Sequence, residues 1–317
     1  MQLLYFLVQQ MMYFSIPLLV VALGGLFCER SGIVNVALEG IMIIGAFSGV
    51  MFLHHTQDSL SGQLALLIAL VIAALAGMVI SLVHAYASIN MKADQVISGT
   101  AINIFAPAFA IFVARMINGV QQIPFQNTFF ITKVPLLGDL PFLGPLLFQN
   151  TYLTTYLGIA LLILSTVVLY KTRFGLRLRA CGEHPQAADS VGVNVYKMRY
   201  AGTVISGALG GIGGLIFVIP TSTNFNGTVS GYGFLALAVL IFGQWKPGRI
   251  FFAALFFGFM KTVTATYSVI PTLKDMGIPS DIYKMIPYIA TLIVLAFTSK
   301  SSAAPRAEGI PYDKGQR

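Results

Sequence analysis

The sequence predicts an all-α polytopic membrane protein with about eight to ten transmembrane helices, some broken, and a short helix at the cytosolic face. Three observations carry this. Charged residues make up 9% of the 317 and hydrophobic residues 56%, against about 25% charged in soluble proteins. Apolar runs of bilayer-crossing length, about 20 residues, recur along the chain. The Lys and Arg residues gather in the polar breaks between those runs, as cytosolic loops require. A chain of this length could make two soluble domains, but it has too little charge to coat them. The short alternating segments of a β-barrel are absent.

The first 28 residues carry no charge. A signal peptide needs a basic start, so Phe6 to Phe27 reads as a retained first span. Cys28 to Gly32 is a polar break, and a second apolar run covers Ile33 to Leu53. His54 to Gly62 is a turn, Gln63 to Ser88 a third span, and Gln95 to Ala114 a fourth. Asn118 to Asn150 is a connector rich in Pro, Gly and Gln. Thr151 to Tyr170 is a fifth span, followed by the polar loop Lys171 to Arg199. Tyr200 to Ile219 is a glycine-rich sixth span. Pro220 to Gly231 is polar, Tyr232 to Phe242 is a short seventh run, and Gln244 to Arg249 is a tight basic turn. Ile250 to Thr266 is an eighth span. A loop with Pro271, Asp275, Pro279 and Asp281 leads to the last span, Met285 to Phe297. Residues 1–300 thus read as one membrane domain and 301–317 as a polar, mobile cytosolic tail.

Placing the 171–199 loop inside also puts Arg30, Lys92, Lys246, Arg249 and the tail residues Lys300, Arg306, Lys314 and Arg317 inside. The opposite orientation would export all of them. This gives about nine crossings with the N-terminus outside. A broken helix over residues 28–40 would change that count and side. The net charge of +8 follows from this loop bias. No soluble segment has a basic stripe with interleaved aromatics, so nucleic acid is not an expected partner. Cys28 and Cys181 form no metal spacing and read as unpaired thiols.

Enzyme chemistry finds little support. No GxxxxGK[ST] or HExxH occurs. The GxGxxA pattern at Gly231, Gly233 and Ala236 has no preceding strand. Asn226-Gly227-Thr228 matches a glycosylation sequon by pattern only. His54, His55, His84 and His184 have no acidic partner at useful spacing. No catalytic or metal-binding residue is expected.

Polar residues inside apolar runs are the stronger signal, because each is costly in hydrocarbon. Asn35 and Glu39 are four apart and so share one helix face. Glu39 reads either as lining for a translocation path or as a helix–helix hydrogen bond. Gln95, Gly99 and Asn103 recur at i, i+4 and i+8, a stripe that either lines a cavity or glues helices. Gly207/Gly211 and Gly210/Gly214 are two GxxxG pairs, which let helices approach closely. Asn224, Phe225, Asn226 and Tyr232 sit at the outer mouth and offer hydrogen bonds and rings for stacking. In the 171–199 loop, Pro185 suits the first turn of a short helix to about Ser190, and Gly192 can end it. Ala187 and Ala188 are small enough to press into a groove. Gly182, Pro185 and Gly192 punctuate this segment, which a merely solvated loop does not need.

GLRLRACGEHPQAADSVGV, Gly175 to Val193, resembles the coupling loop of bacterial ABC-importer permeases of the branched-chain amino acid, ribose and nucleoside class. GGLFCERSGIVNVALEGIMIIGAF (Gly24 to Phe47) and KADQVISGTAINIFA (Lys92 to Ala106) resemble its simple-sugar and nucleoside subgroup. The short length resembles the smaller of two paired permease subunits. The resemblance implies a heterodimer with a second permease subunit, set on a cytosolic ATP-binding subunit and fed by an extracellular substrate-binding lipoprotein. ATP and Mg would belong to that ATPase, and this chain would hold no cofactor. The coupling helix maps onto Pro185 to Ser190, flanked by Glu183, His184 and Gly192. No residue matches a known substrate contact. A purine or other nucleoside is the expected substrate. Other readings are a sugar, riboflavin or amino acid permease of the same class, an ion-coupled secondary transporter, and an intramembrane enzyme. The last would want a clustered Ser/His/Asp or metal set.

Overall fold

The computed structural model describes residues 2–57, 59–60, 62–267, 270, 279–298 and 303–315. Pro271 and Asp275 of the last connecting loop, and Lys300 and Arg317 of the tail, lie outside the described residues. Seven described helices are long and apolar enough to cross a membrane: α1 (Gln2–Arg30), α2 (Leu38–Thr56), α3 (Gly62–Ile89), α4 (Gln95–Asn118), α5 (Leu153–Lys171), α8 (Val195–Thr221) and α10 (Pro247–Thr266). Two short helices, α6 (Arg173–Glu183) and α7 (Pro185–Ser190), fill the loop between α5 and α8. The helices α9 (Tyr232–Phe242) and α11 (Ser280–Thr298) complete the bundle. At 1.5 Å per residue the 11 residues of α9 span about 16 Å, half of a bilayer core of about 30 Å. Its first turn therefore starts at membrane depth.

The two ends of the bundle differ in chemistry. At one end Arg30 meets Glu183 at 3.3 Å and Lys92 meets Asp313 at 2.6 Å. Lys171, Arg173, Arg177, Lys197, Lys246 and Arg249 are exposed there. At the other end Gln9 Nε2 donates to Pro145 O at 2.8 Å and Gln63 Nε2 to Phe129 O at 3.0 Å. The connector 119–152 supplies that end with β1 (Ile123–Pro124), β2 (Phe130–Lys133) and β3 (Gln149–Tyr152). β2 pairs with β3, and β1 pairs with β4 (Asn224–Phe225), both antiparallel. The basic end is the cytosolic one by the positive-inside rule, and α1 starts at the opposite end.

The core is built around α8. In lipid no hydrophobic force drives helices together, so close contact between small residues has to do it. A Cβ on Gly211 would strike the Ala73 carbonyl of α3, and one on Gly45 of α2 would strike Gly211 itself. Gly77 and Gly207 meet backbone to backbone, and a Cβ on Gly214 would strike the Met42 carbonyl. The glycines of α8 thus seat it between α2 and α3, with α1 on its remaining side, where Gly213 faces Val21.

Four sequence expectations are corrected. Helix α2 starts at Leu38, not Ile33, so Asn35 precedes it and shares no helix face with Glu39. Helix α8 starts at Val195, where the Asn194 side chain accepts from Lys197 N at 2.9 Å. Arg199 is therefore not a loop cation. It lies within α8, 1% exposed. The basic segment before Pro185 is the helix α6, with Arg177 outside and Leu178 buried. Residues 303–315 are not a mobile tail but lie across the cytosolic helix ends, as described below.

The packing around α8 predicts that Gly211→Leu costs ~3 kcal/mol or more through overpacking. It should lower the apparent melting temperature of the detergent-purified protein by several degrees. Gly248→Ala is the control: its added Cβ meets nothing within 4 Å, so its melting temperature should match the wild type.

Candidate functional site

The chain unwinds between α1 and α2. Gly32 takes a positive φ of 96°, and Ile33 to Ala37 form no helix. Ile33, Asn35 and Ala37 are fully buried, so bulk water does not satisfy this irregular backbone, and each unpaired buried group would cost a few kcal/mol. Side chains from three helices do the work. Val34 N donates to Gln95 Oε1 at 2.7 Å, and Asn103 Nδ2 donates to Val36 O at 2.8 Å. Gly40 N donates to Asn103 Oδ1 at 2.8 Å. His84 Nε2 bonds Val34 O at 3.0 Å and its Nδ1 lies 3.1 Å from Ser98 Oγ. A carbonyl only accepts, so Nε2 carries the ring proton and Ser98 donates to Nδ1. Asn35 Nδ2 donates to Ser206 Oγ at 2.8 Å, while its Oδ1 accepts from Ala37 N at 3.1 Å. Gln95, Gly99 and Asn103 therefore face the break. Gly99 lets it approach, since a Cβ there would come within 2.9 Å of Ala37 N. The stripe on α4 thus hydrogen-bonds the break and the first turn of α2.

The flanks of the break grip the half-length helix α9 at both ends. Glu39 Oε1 accepts from Gly231 N at 2.9 Å and its Oε2 from Gly233 N at 2.6 Å. These are first-turn N–H groups with no partner inside α9. At the other end Trp245 Nε1 donates to Glu29 Oε2 at 2.5 Å, and Arg30 Nη2 donates to Trp245 O at 3.0 Å. Gln244 and Trp245 both hold positive φ, 51° and 52°, a strained pair that these contacts retain. Glu39 is thus a helix–helix hydrogen bond as well as a polar group at membrane depth.

Asn224 and Asn226 are exposed, whereas Phe225 is buried in the β1–β4 pair. Tyr232 is buried, its ring 4.0 Å from that of Phe217, and its hydroxyl has no hydrogen-bond partner among the described residues. One residue escaped the sequence reading. Lys261 lies in the apolar α10, with its Nζ 5.3 Å over the Tyr232 ring and 5.5 Å over that of Tyr288. The signal was a lone cation in FFAALFFGFMKTVTAT, costly enough in hydrocarbon to mark a site.

At the cytosolic face α7 forms where expected. His184 caps it, Nδ1 accepting from Ala187 N at 3.4 Å, and Gly192 follows with φ 84°. The two alanines separate. Ala188 is buried against Cys181, Val195 and Tyr312, while Ala187 is exposed with His184, Gln186 and Ser190. Glu183 is engaged by Arg30, and Gly182 packs directly on the Arg30 backbone. Ala188 and Pro185 hold the helix to the protein, and Ala187 faces outward.

The tail adds a wall to this surface. Ala307 N donates to Gly182 O at 2.8 Å, Gly309 N to Gly32 O at 3.2 Å, and Ala303 N to Gln244 Oε1 at 3.1 Å. Arg199 Nη1 donates to Ile310 O at 3.0 Å. A groove of about 810 Å³ runs between α7 (His184, Gln186, Asp189) and the tail (Tyr312, Asp313, Lys314). The Glu308 carboxyl faces that of Glu29 within hydrogen-bonding reach. Burial pushes Glu308 up to about 7, against the hydrogen bond from Glu29 and the charge of Arg30.

The chain matches the family described as branched-chain amino acid transport system/permease component over residues 7–295. It is 45% identical to the guanosine ABC transporter permease protein NupQ of Bacillus subtilis, covering 100% of this chain and 99% of that one. It is 42% identical to the nucleoside ABC transporter permease protein NupC of Lactococcus lactis, over 98% of this chain and 97% of the relative. A second Lactococcus lactis protein, the nucleoside ABC transporter permease protein NupB, is 26% identical over 95% and 84%. No solved structure matches the chain.

The Glu308 carboxyl sets a pH dependence. Its folded value lies above its ordinary one of 4.5, so it favours the docked tail most fully below that value. The contribution is lost as pH rises through about 7. Hydrogen exchange at Ala307 and Gly309, corrected for intrinsic base catalysis, should accelerate by up to about tenfold per pH unit between 4.5 and about 7 and level off above that. Glu308→Gln should flatten that rise.

Proposed function

We infer that this chain, which belongs to the branched-chain amino acid transport system permease family, is the membrane-spanning subunit of an ATP-driven importer that takes up nucleosides, purine nucleosides foremost. The observation that carries this is full-length identity of 45% and 42% to permease proteins named for guanosine and nucleosides. The chain is a transport subunit of the cell membrane, crossing it many times. ATP and Mg would be bound by a partner ATPase. A second permease subunit is supported by the two Lactococcus lactis relatives. This chain covers 97% of NupC but only 84% of NupB, which fits the smaller member of a pair. An extracellular binding lipoprotein would deliver substrate to the end formed by the connector and β4.

The contacts suggest how ATPase closure reaches the path. Ala187, Gln186 and His184 would seat in the ATPase, with Gly192 ending the helix they stand on. Movement of α7 would pass through Pro185 and Ala188 to α6, α8 and the tail. Gly182 rests on the end of α1, so α6 would carry the movement to the unwound break. Because Glu29 and Glu39 hold the two ends of α9, a shift of the break would tilt α9 and open or close the path beside it.

A deletion strain carrying the gene with its neighbours should regain uptake of labelled guanosine, and that uptake should stop when cellular ATP hydrolysis is blocked. Uptake that survives this block but fails with an uncoupler would mark an ion-coupled transporter instead. Ala187→Trp should reduce uptake at least tenfold with normal membrane insertion, because the added ring stands on the exposed side of α7. Full activity in that variant would rule out a buried partner contact there.

A further inference from the structure

Lys261 is a cation about 21 Å along the apolar α10, whose 20 residues span about 30 Å, and it stands about 8 Å short of the helix's last residue. Among the described residues it makes no hydrogen bond and no ion pair within 4.0 Å. It lies near enough to Glu39 for their charges to interact, while the Glu39 oxygens accept from Gly231 N and Gly233 N. The ammonium is instead held against two tyrosine rings. One of these, Tyr232, has a fully enclosed hydroxyl with no hydrogen-bond partner among the described residues. The other, Tyr288, lines a cavity of about 470 Å³ with Gly231, Phe234, Leu235 and Thr291; Lys261 and Tyr232 do not line it themselves, and the ammonium stands behind its Tyr288 wall, 5.5 Å from that ring. Phe234 and Tyr288 are both exposed at its rim. That volume lies in the range of small-molecule sites, about 300–1,000 Å³, and such sites combine apolar walls with a few placed polar groups.

We propose that Lys261, Tyr232 and Tyr288, with the cavity between α9 and α11, form the base-recognition site of the translocation path. The ligand they fit is a planar heteroaromatic ring carrying a carbonyl oxygen. Tyr288 and Phe234 offer ring faces for stacking. Lys261 brings three N–H donors to an acceptor oxygen, and a charge-assisted hydrogen bond formed away from water is a strong one. An acyl chain would use the apolar walls but leave the cation unpaired. The site lies at the first turn of α9, which Glu39 fixes from the break. A tilt of α9 therefore changes the walls around the ligand.

This inference rests on the nucleoside reading above and sharpens it to the chemistry of the base. Guanosine, inosine and uridine carry ring carbonyls; adenosine carries none. In cells with the complete transporter, Lys261→Met should raise the KM for guanosine about tenfold, as expected for loss of a charged hydrogen bond. The KM for adenosine should change little, so the guanosine-to-adenosine preference should fall about tenfold. Lys261→Arg should keep most of the preference. Tyr288→Ala should weaken all four nucleosides together, and Tyr288→Phe should restore stacking. Should Lys261→Met fail to accumulate, the Glu39→Gln/Lys261→Met pair removes both charges, and its preference ratio gives the same reading. An unchanged ratio in a variant that still transports would overturn the site and leave the nucleoside function standing. A wild-type transporter that moves no nucleoside would overturn both.

Discussion

The unpaired backbone of Ile33 to Ala37 is the constraint on which the rest of the structure depends. A buried turn between two spanning helices leaves N–H and C=O groups that neither lipid nor bulk water satisfies. Here Gln95, Asn103, His84 and Asn35 supply the missing partners. That requirement fixes α3, α4 and α8 around one point. It also accounts for why polar side chains sit in spans that otherwise face lipid.

The break in turn controls the half-length helix α9. A full-length helix would bury its terminal N–H groups near headgroups and water. One that starts at membrane depth needs a local acceptor, and Glu39 supplies it with two short hydrogen bonds. Glu29 and Arg30 hold the opposite end through Trp245. Two acidic residues ten positions apart thus clamp one helix because the chain between them turns back on itself. Such a clamp couples the cytosolic surface to membrane depth without a long-range mechanism. The tail and α6 rest on the same point, at Gly32 and Arg30.

Packing around α8 makes this arrangement rigid where backbone meets backbone. The glycine contacts with α2 and α3 leave no room for a methyl group, so α8 moves with its neighbours or not at all. Helices α9, α10 and α11 lie to one side of that core, and the cavity lined by Phe234 and Tyr288 lies between α9 and α11. The division suits a protein in which one part holds and another tilts.

Much of this was legible in the residues. The apolar runs gave the span positions to within about five residues, and the basic breaks fall at one end of the bundle, as the positive-inside rule expects. Pro185 and Gly192 marked α7 at its observed ends, because φ preferences act locally. The GxxxG pairs announced close packing. Three things were not legible. Ile33 to Ala37 are as apolar as a span, and only the partners from α3, α4 and α8 show that they are unwound. The tail is polar in composition, yet Tyr312 and the backbone of Ala307 and Gly309 dock it, through contacts more than 100 residues distant along the chain. Lys261 lay in plain view as a lone cation, but its meaning depended on Tyr232 and Tyr288. Hydropathy, charge bias and turn chemistry are properties of neighbouring residues, so the order of residues determined them alone. Which buried polar group finds which partner is set where distant segments meet, and only the tertiary structure decided it.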